Sequence, residues 1–123
     1  MLVGKFMIAI VDDDPRLLES LADLLESAGY AVRSFRSARS FLDDNVALSE
    51  TDCLVADIGM PLIDGFELEK LTRQTRPELP IMLITGRHEI ADQQRAIAQG
   101  NRLFRKPFDG QALLAAIGHA LNV

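Results

Sequence analysis

The chain has 123 residues, 48% of them apolar, and its 18 Asp and Glu residues against 13 Lys and Arg residues give a formal net charge of -5. This length suits one domain with a buried core, and a charged fraction of 25% excludes a wholly disordered chain. The longest apolar run, residues 6–11, is too short for a membrane span or a signal peptide. A single cysteine allows no internal disulfide, and the acidic balance argues against direct binding of nucleic acid. We therefore expect a compact cytoplasmic domain with no membrane contact.

Short apolar runs alternate along the chain with longer stretches whose apolar residues recur at helical spacing. The apolar runs predict five strands, over residues 6–11, 31–35, 53–56, 80–84 and 102–105. The periodic stretches predict five helices, over residues 15–28, 37–46, 64–71, about 89–99 and 109–121. Side chains that typically cap helix N-termini begin four of these helices, at Asp14, Ser37, Asp64 and Asp109. The first helix is expected to bury one face, formed by Leu17, Leu21, Leu24, Leu25 and Ala28.

The alternation of strands and helices predicts a doubly wound (βα)5 domain of the flavodoxin-like α/β class, with a five-stranded parallel sheet and helices on both faces. We adopt for it the strand order 2-1-3-4-5 that is known for this class, in which ligands bind at the carboxyl ends of the strands. Residues 31–35 alternate more than the other strands, which indicates a position near the sheet edge. No linker divides the chain, so residues 1–123 are expected to form a single domain.

Polar side chains stand where four of the predicted strands end: Asp12 and Asp13, then Asp57, Thr85 and Lys106. With the adopted strand order they all converge on one edge of the sheet. Three carboxylates placed together repel one another unless a cation lies between them, and oxygen ligands without His or Cys indicate Mg²⁺, for which Mn²⁺ can substitute. A lysine and a threonine suit a phosphoryl group. The pattern therefore predicts a metal-assisted phosphoryl site with a carboxylate as nucleophile.

Five short motifs at and near these strand ends carry a family resemblance. Residues 11–14, 57–61 with 64–65, 84–86 and 106–108 resemble the response-regulator receiver domain of two-component signalling. The motifs stand in the family's order and span nearly the whole chain. The sequence of residues 35–38 and 84–86 is also similar to that of receivers of the LuxR/FixJ-type regulators.

The resemblance implies a role for each acidic residue of the site. Asp57 matches the phosphoacceptor, which receives a phosphoryl group from a histidine kinase or a small phosphodonor. Asp13 and Asp57 match direct Mg²⁺ ligands, Asp12 matches a ligand that acts through water, and the backbone carbonyl of Gly59 completes the set. The domain would then catalyse only its own phosphorylation and dephosphorylation, and would not be an enzyme with an external substrate.

The resemblance also implies how the signal leaves the site. Lys106 would bond the acyl phosphate, with a cis peptide bond to Pro107, and Thr85 would move toward the phosphoryl group. The movement would reach an output face built from the predicted helix at 89–99, the fifth strand and the last helix. A new charge of about -1.5 to -2 would drive this switch.

Two departures from the family pattern bear on that switch. The family usually has an aromatic residue three positions before the lysine, where this chain has Leu103, and Phe104 stands one residue later. Either Phe104 takes the switch role through a local bulge, or the domain signals without an aromatic toggle. Gly59 stands where a larger polar residue is common, opposite Arg87, and these two positions are expected to tune the lifetime of the phosphoryl group.

Two other functions compete with this interpretation. A Mg²⁺-dependent phosphohydrolase of the haloacid-dehalogenase kind would use Asp12 as nucleophile, with Asp14 two residues on, but Pro15 and Arg16 replace the residues expected next. A receiver-like interaction module that is never phosphorylated is the third hypothesis, although no acidic residue of the site and no lysine is lost. The nucleophile distinguishes the receiver from the phosphohydrolase, because it would be Asp57 in the receiver and Asp12 in the phosphohydrolase.

The expected partners follow from the resemblance. They are a histidine kinase or phosphotransfer protein upstream, and a downstream protein or a fused output domain, with phosphorylation-dependent homodimerisation as a further expectation. The 123 residues leave no room for a DNA-binding output module after the last helix, so we expect this chain to hold the receiver alone.

Overall fold

The structure is a computed structural model that describes residues 5–86, 94–95, 98, 102–106 and 109–122. Five parallel strands form one sheet in the order β2-β1-β3-β4-β5, as predicted. The strands are β1 (Met7–Val11), β2 (Ala31–Phe35), β3 (Cys53–Asp57), β4 (Ile81–Thr85) and β5 (Arg102–Arg105). The helices with described bounds are α1 (Pro15–Ser27), α2 (Ala38–Leu42), α3 (Asn45–Glu50), α4 (Gly65–Thr75) and α5 (Gly110–Leu121). Residues 94, 95 and 98 are helical, and the rest of the predicted helix at 89–99 lies outside the described residues.

The apolar composition of the central strands matches the burial of the sheet on both faces. Every residue of β3 and β4 is buried, because parallel strands that are covered on both faces need apolar side chains on both. β2 is only partly buried, which confirms its predicted place at the edge.

Alternating side chains divide the core into two layers. One, called here the α2–α4 layer, contains Phe41 of α2 and Phe66 of α4 against Leu54 and Leu83 of the sheet. The other, called the α1–α5 layer, packs residues of α1 and α5 against the opposite face: Leu18, Leu21, Leu25, Leu113, Ala116 and Ile117. The sheet therefore separates two independent apolar layers.

Each of the four predicted capping residues begins a helix. Asp14, Ser37, Asp64 and Asp109 accept backbone N–H groups from the first turns of α1, α2, α4 and α5. These bonds satisfy donors that a helix N-terminus leaves without an internal partner. None of the described helices has the length and apolar character needed to cross a membrane.

The predicted helix at 37–46 is wrong as a single element. Asp43 ends α2, and the side chain of Asp44 accepts the N–H of Ala47 at 3.0 Å, which starts α3. An aspartate competes with helical hydrogen bonding and favours a new N-cap over continuation. The predicted face of α1 also needs correction, because Leu18 is buried and Ala28 is exposed.

The hydroxyl of Thr72 leads to a stability prediction. It is buried within α4 and has no hydrogen-bond partner in the part of the chain that the structure describes. Thr72→Val removes an unsatisfied polar atom at nearly constant shape, so we expect the free energy of unfolding to rise by about 1 kcal/mol. Urea unfolding measures it, with the exposed Thr75→Val as the matched control, which should stay within about 0.5 kcal/mol of wild type. A destabilised Thr72→Val variant would contradict the prediction.

Cys53 leads to a second prediction, on reactivity. Burial in β3, aided by the charge of Asp52, raises the pKa of its thiol to about 12. Ionisation of the thiol is thus disfavoured in the folded state. The protonated thiol contributes to the free energy of unfolding at pH values below 9.0, and this contribution is lost as the pH rises from 9.0 toward about 12. At about pH 8 we expect iodoacetamide to modify the native protein far more slowly than the urea-unfolded chain. Comparable rates in both states would show that the thiol is accessible.

Candidate functional site

The acidic residues of the site lie at the carboxyl ends of β1 and β3. The N–H of Asp12 donates to the carbonyl of Phe35 at 3.0 Å, which continues the pairing of β1 with β2 by one residue. Asp57 is the last residue of β3, and its side chain and that of Asp12 are buried, whereas Asp13 is exposed at the rim. Carboxylate oxygens of Asp12, Asp13 and Asp57 lie within 4.8 Å of one another. The structure thus brings together the three carboxylates that the sequence predicted.

Lys106 places an ammonium group between two of these carboxylates. Its backbone N–H donates to the carbonyl of Thr85, which fixes the end of β5 beside the end of β4. Its Nζ lies 3.2 Å from Oδ2 of Asp12 and 3.5 Å from Oδ2 of Asp57. The predicted lysine therefore lies at the site.

The electrostatics of the site favour a divalent cation. Burial raises the pKa of Asp12, and the neighbouring charge of Asp57 raises it further. The N–H of Asp14, which donates to Oδ1 of Asp12 at 2.9 Å, and the Lys106 ammonium lower that pKa in part. Three carboxylates against one ammonium leave a net negative charge, and all the side-chain donors are oxygen atoms. This donor set fits a hard ion such as Mg²⁺.

Two glycines lie close to Asp57, one beside its carboxylate and the other beside its backbone carbonyl. The N–H of Gly59 donates to Oδ1 of Asp57 at 3.2 Å, and a Cβ at position 59 would lie 3.7 Å from both carboxylate oxygens. A side chain at this position would therefore stand directly beside the carboxylate. A Cβ at Gly65 would lie only 2.7 Å from the carbonyl oxygen of Asp57, so the first turn of α4 requires glycine there.

Gly65 is a residue that sequence reasoning did not single out. It was part of the quoted 64–65 motif, but a glycine at the start of a helix does not by itself reveal close packing against another strand. Two predicted features, the Arg87 side chain and the cis peptide bond to Pro107, lie outside the described residues.

The pairing of the fifth strand bears on the local bulge that was considered for Phe104. β4 and β5 pair without interruption, Leu83 with Leu103, Ile84 with Phe104 and Thr85 with Arg105. The local bulge considered for Phe104 is therefore absent from the described strand. Leu103 packs in the α2–α4 layer and Phe104 in the α1–α5 layer. Strand alternation places the buried Thr85 on the face of Leu103, opposite to Phe104.

Comparison with known proteins adds family evidence to this geometry. A family model for the response regulator receiver domain matches residues 8–118. The response regulator protein TodT of Pseudomonas putida is 37% identical over 118 residues, which are 95% of this chain and 52% of TodT. The transcriptional regulatory protein FixJ of Azorhizobium caulinodans is 38% identical over 116 residues, which are 94% of this chain and 54% of FixJ.

A solved structure agrees with these relatives. The response regulator StyR is 37% identical, superposes with a TM-score of 0.85, and matches 97% of this chain and 60% of its own. The chain thus spans about half the length of the curated relatives it matches. The match over residues 8–118 also sets aside the phosphohydrolase hypothesis with Asp12 as nucleophile. Fold, strand-end geometry and family match agree, and the chain belongs to the response-regulator receiver domains of two-component signalling.

Proposed function

We propose that Asp57 accepts a phosphoryl group from a histidine kinase, a phosphotransfer protein or a small phosphodonor, and that the acyl phosphate changes what the domain contacts. One observation carries the proposal. The Asp57 carboxylate ends a fully buried strand beside two other carboxylates, with the Lys106 ammonium 3.5 Å from its Oδ2. A buried strand holds this nucleophile in one orientation. Less conformational entropy is therefore lost when a carboxylate oxygen lies in line with the bond that breaks.

The transfer step needs only groups that the site and the donor supply. A carboxylate oxygen of Asp57 attacks phosphorus, a new O–P bond forms, and the bond from phosphorus to the donor breaks. The donor leaves with the electron pair of that bond, and the product is a mixed anhydride on Asp57. In dephosphorylation, a water oxygen attacks the same phosphorus, the O–P bond to Asp57 breaks, and inorganic phosphate leaves while the Asp57 carboxylate is regenerated. The domain is thus proposed to catalyse its own phosphorylation and dephosphorylation.

Asp12, Asp13, Asp57 and the carbonyl of Gly59 are proposed to hold Mg²⁺. When bound, the ion would offset negative charge on the carboxylates and the phosphoryl oxygens. The side chain of Lys106 can turn from Asp12 to a phosphoryl oxygen, because it is only partly buried. Thr85 is proposed to donate its hydroxyl to another phosphoryl oxygen.

The output is proposed to run through Thr85 and Leu103 without an aromatic toggle. Thr85 lies on the same face of the sheet as Leu103, which packs in the α2–α4 layer, so a movement of Thr85 toward the phosphoryl group would act on that layer. The face at 89–99, β5 and α5 then contacts a downstream protein, a fused output domain or a second copy. Gly59 and Arg87 are proposed to tune the lifetime of the acyl phosphate. For Gly59 this is supported by the 3.7 Å that would separate a Cβ at this position from both carboxylate oxygens of Asp57.

Phosphorylation of Asp57 is tested by intact mass. Wild type, Asp57→Asn and Asp12→Asn are incubated with acetyl phosphate, with and without Mg²⁺. We expect one phosphoryl group on wild type in Mg²⁺ and none on Asp57→Asn. Asp12→Asn should be labelled at least about tenfold more slowly, because it removes a group that supports the ion but keeps the nucleophile.

The alternatives predict different masses. Labelling of Asp57→Asn at the wild-type rate would assign the nucleophile elsewhere. An unmodified wild type would favour the interaction module that is never phosphorylated. Exposed Asp23→Asn, on α1, is the matched control and should be labelled like wild type.

Mg²⁺ binding is tested separately, by thermal unfolding. At an ion concentration about tenfold above Kd, binding should stabilise wild type by about 1.4 kcal/mol, or about 5 °C in Tm. Asp13→Asn should lose most of this shift, and Asp23→Asn should keep it.

Because the pKa of Asp12 is raised, its ionisation opposes folding as the pH rises through that pKa. The ion prefers the ionised cluster, so the Mg²⁺ shift should grow from about pH 4 to pH 7. A shift that is equal in wild type and Asp13→Asn would contradict the assigned site.

A further inference from the structure

Leu62 is an exposed apolar side chain at the tip of a tight turn. It is fully exposed, more than any other large apolar side chain in the described part of the chain. The N–H of Ile63 donates to the carbonyl of Pro61 at 2.8 Å, which closes a γ-turn around Leu62 and accounts for its φ of 68°. The turn therefore holds this side chain in a fixed direction, outward into solvent.

An apolar cleft lies directly beside this side chain. The cleft has a volume of about 240 Å³, and it is lined by Ser37, Ala38, Arg39, Pro61, Leu62 and Ile63. We call it the Leu62 cleft. One wall is the loop from β3 to α4, which carries the turn, and the other is the start of α2. A cavity of this size accepts one leucine side chain, so the same small surface holds both a projecting leucine and a space that a leucine can fill.

Opposite charges border the same surface. A second depression, of about 690 Å³, shares Leu62 and Ile63 with the cleft and extends to the first turn of α4, where Asp64 and Glu67 line it. Arg39, on α2, lines both depressions. The projecting leucine thus stands between a positive group on α2 and negative groups on α4.

Neither charge is strongly paired within the chain. Arg39 approaches Asp43 at 3.7 Å, but both side chains are about two-thirds exposed, so solvent weakens this pair. Glu67 is exposed, and its side chain has no ion pair in the part of the chain that the structure describes. Its backbone N–H donates to Asp64, which holds the first turn of α4 in place. A guanidinium group and a carboxylate are therefore available to opposite charges of another molecule.

We propose that a second copy of this chain covers this surface, in a two-fold symmetric dimer. Leu62 of each copy enters the Leu62 cleft of the other, and Arg39 of each copy pairs with Glu67 of the other. A two-fold interface brings a patch against itself, so the patch has to carry both members of every contact. This surface does so in shape and in charge, whereas a different protein would need only one member of each. The net charge of -5 opposes association of two copies, and the local pairing of opposite charges offsets that repulsion.

The proposed dimer does not use the phosphoryl site. Among the described residues, the Asp57 carboxylate is contacted by the N–H of Gly59 and the ammonium of Lys106, neither of which lines the Leu62 cleft. β5 and α5 of the output face contribute no residue to either depression. The unphosphorylated chain is therefore expected to associate, unlike a dimer that depends on phosphorylation. Because the patch is small, the association is weak and reversible.

Sedimentation velocity of the unphosphorylated protein, from about 10 μM to about 1 mM, tests the dimer. Wild type should show a reversible monomer–dimer equilibrium. In Leu62→Gly the dissociation constant should rise at least about tenfold, because each dimer loses two leucine contacts. Glycine adopts a φ of 68° readily, so the turn keeps its shape. Val46→Ala, on α3, is the matched control, because Val46 is also an exposed apolar residue and lines neither depression. It should associate like wild type.

Charge reversal tests the pairing of Arg39 with Glu67. Arg39→Glu and Glu67→Arg should each associate at least about tenfold more weakly than wild type, because like charges then meet twice in each dimer. An equimolar mixture of these two variants should form heterodimers about as readily as wild type forms dimers, because every pair again joins opposite charges. Lys70→Glu, at an exposed position of α4 that lines neither depression, changes the net charge as much as Arg39→Glu does. It should associate within about twofold of wild type at physiological salt.

Three outcomes would overturn the proposal. A wild type that stays monomeric over the whole range would do so, and would leave the cleft to a different protein. Dimerisation of Leu62→Gly with the wild-type dissociation constant would assign self-association to another face. A mixture of Arg39→Glu and Glu67→Arg that stays monomeric would reject the two-fold pairing of these residues. None of these results depends on whether Asp57 accepts a phosphoryl group, because no phosphodonor is present.

Discussion

The charge cluster of Asp12, Asp57 and Lys106 is the constraint on which the rest of the structure depends. Two carboxylates are buried at the ends of neighbouring strands, and the Lys106 ammonium lies 3.2 Å from one and 3.5 Å from the other. Buried charges are costly unless they are paired, so the strands must hold these ends in fixed register. The apolar β3 and β4 provide that rigidity, and the lysine joins the edge strand β5 to the centre of the sheet.

The separation of the core into two layers determines which strand residues share neighbours. Thr85 lies on the same face of the sheet as Leu103, which packs in the α2–α4 layer, whereas Phe104 packs with α1 and α5. In the same layer as Leu103, the ring of Phe66 lies 4.2 Å from the guanidinium carbon of Arg95. Phe66 follows Gly65, which packs against the backbone of Asp57. The backbone of Asp57 is thus connected to the α2–α4 layer through Gly65 and Phe66.

Local sequence signals were sufficient to predict the strands, the helix caps and the residues at the strand ends. They were not sufficient to predict the break between α2 and α3 or the pairing register of β5 with β4. An aspartate directly before a helical pattern strongly prefers the N-cap position, so Asp14 and Asp109 could be predicted as caps. At Asp43 and Asp44 the apolar spacing continued up to Val46, and this hid the break between α2 and α3. The sequence also left Leu103 and Phe104 undecided, because a shift of one residue exchanges the faces of a strand. Only the pairing with β4 resolves which of them shares a layer with Leu83.

Backbone hydrogen bonds hold both ends of the loop from β3 to α4. At one end, the N–H of Gly59 donates to the Asp57 carboxylate, and at the other, Gly65 donates to the carbonyl of Ile58 at 3.4 Å. Both ends are thus held by main-chain groups, which do not depend on the side chain at position 62. Leu62 projects into solvent between them. Its exchange for glycine, which a φ of 68° accommodates, is therefore expected to leave the Asp57 carboxylate in its place.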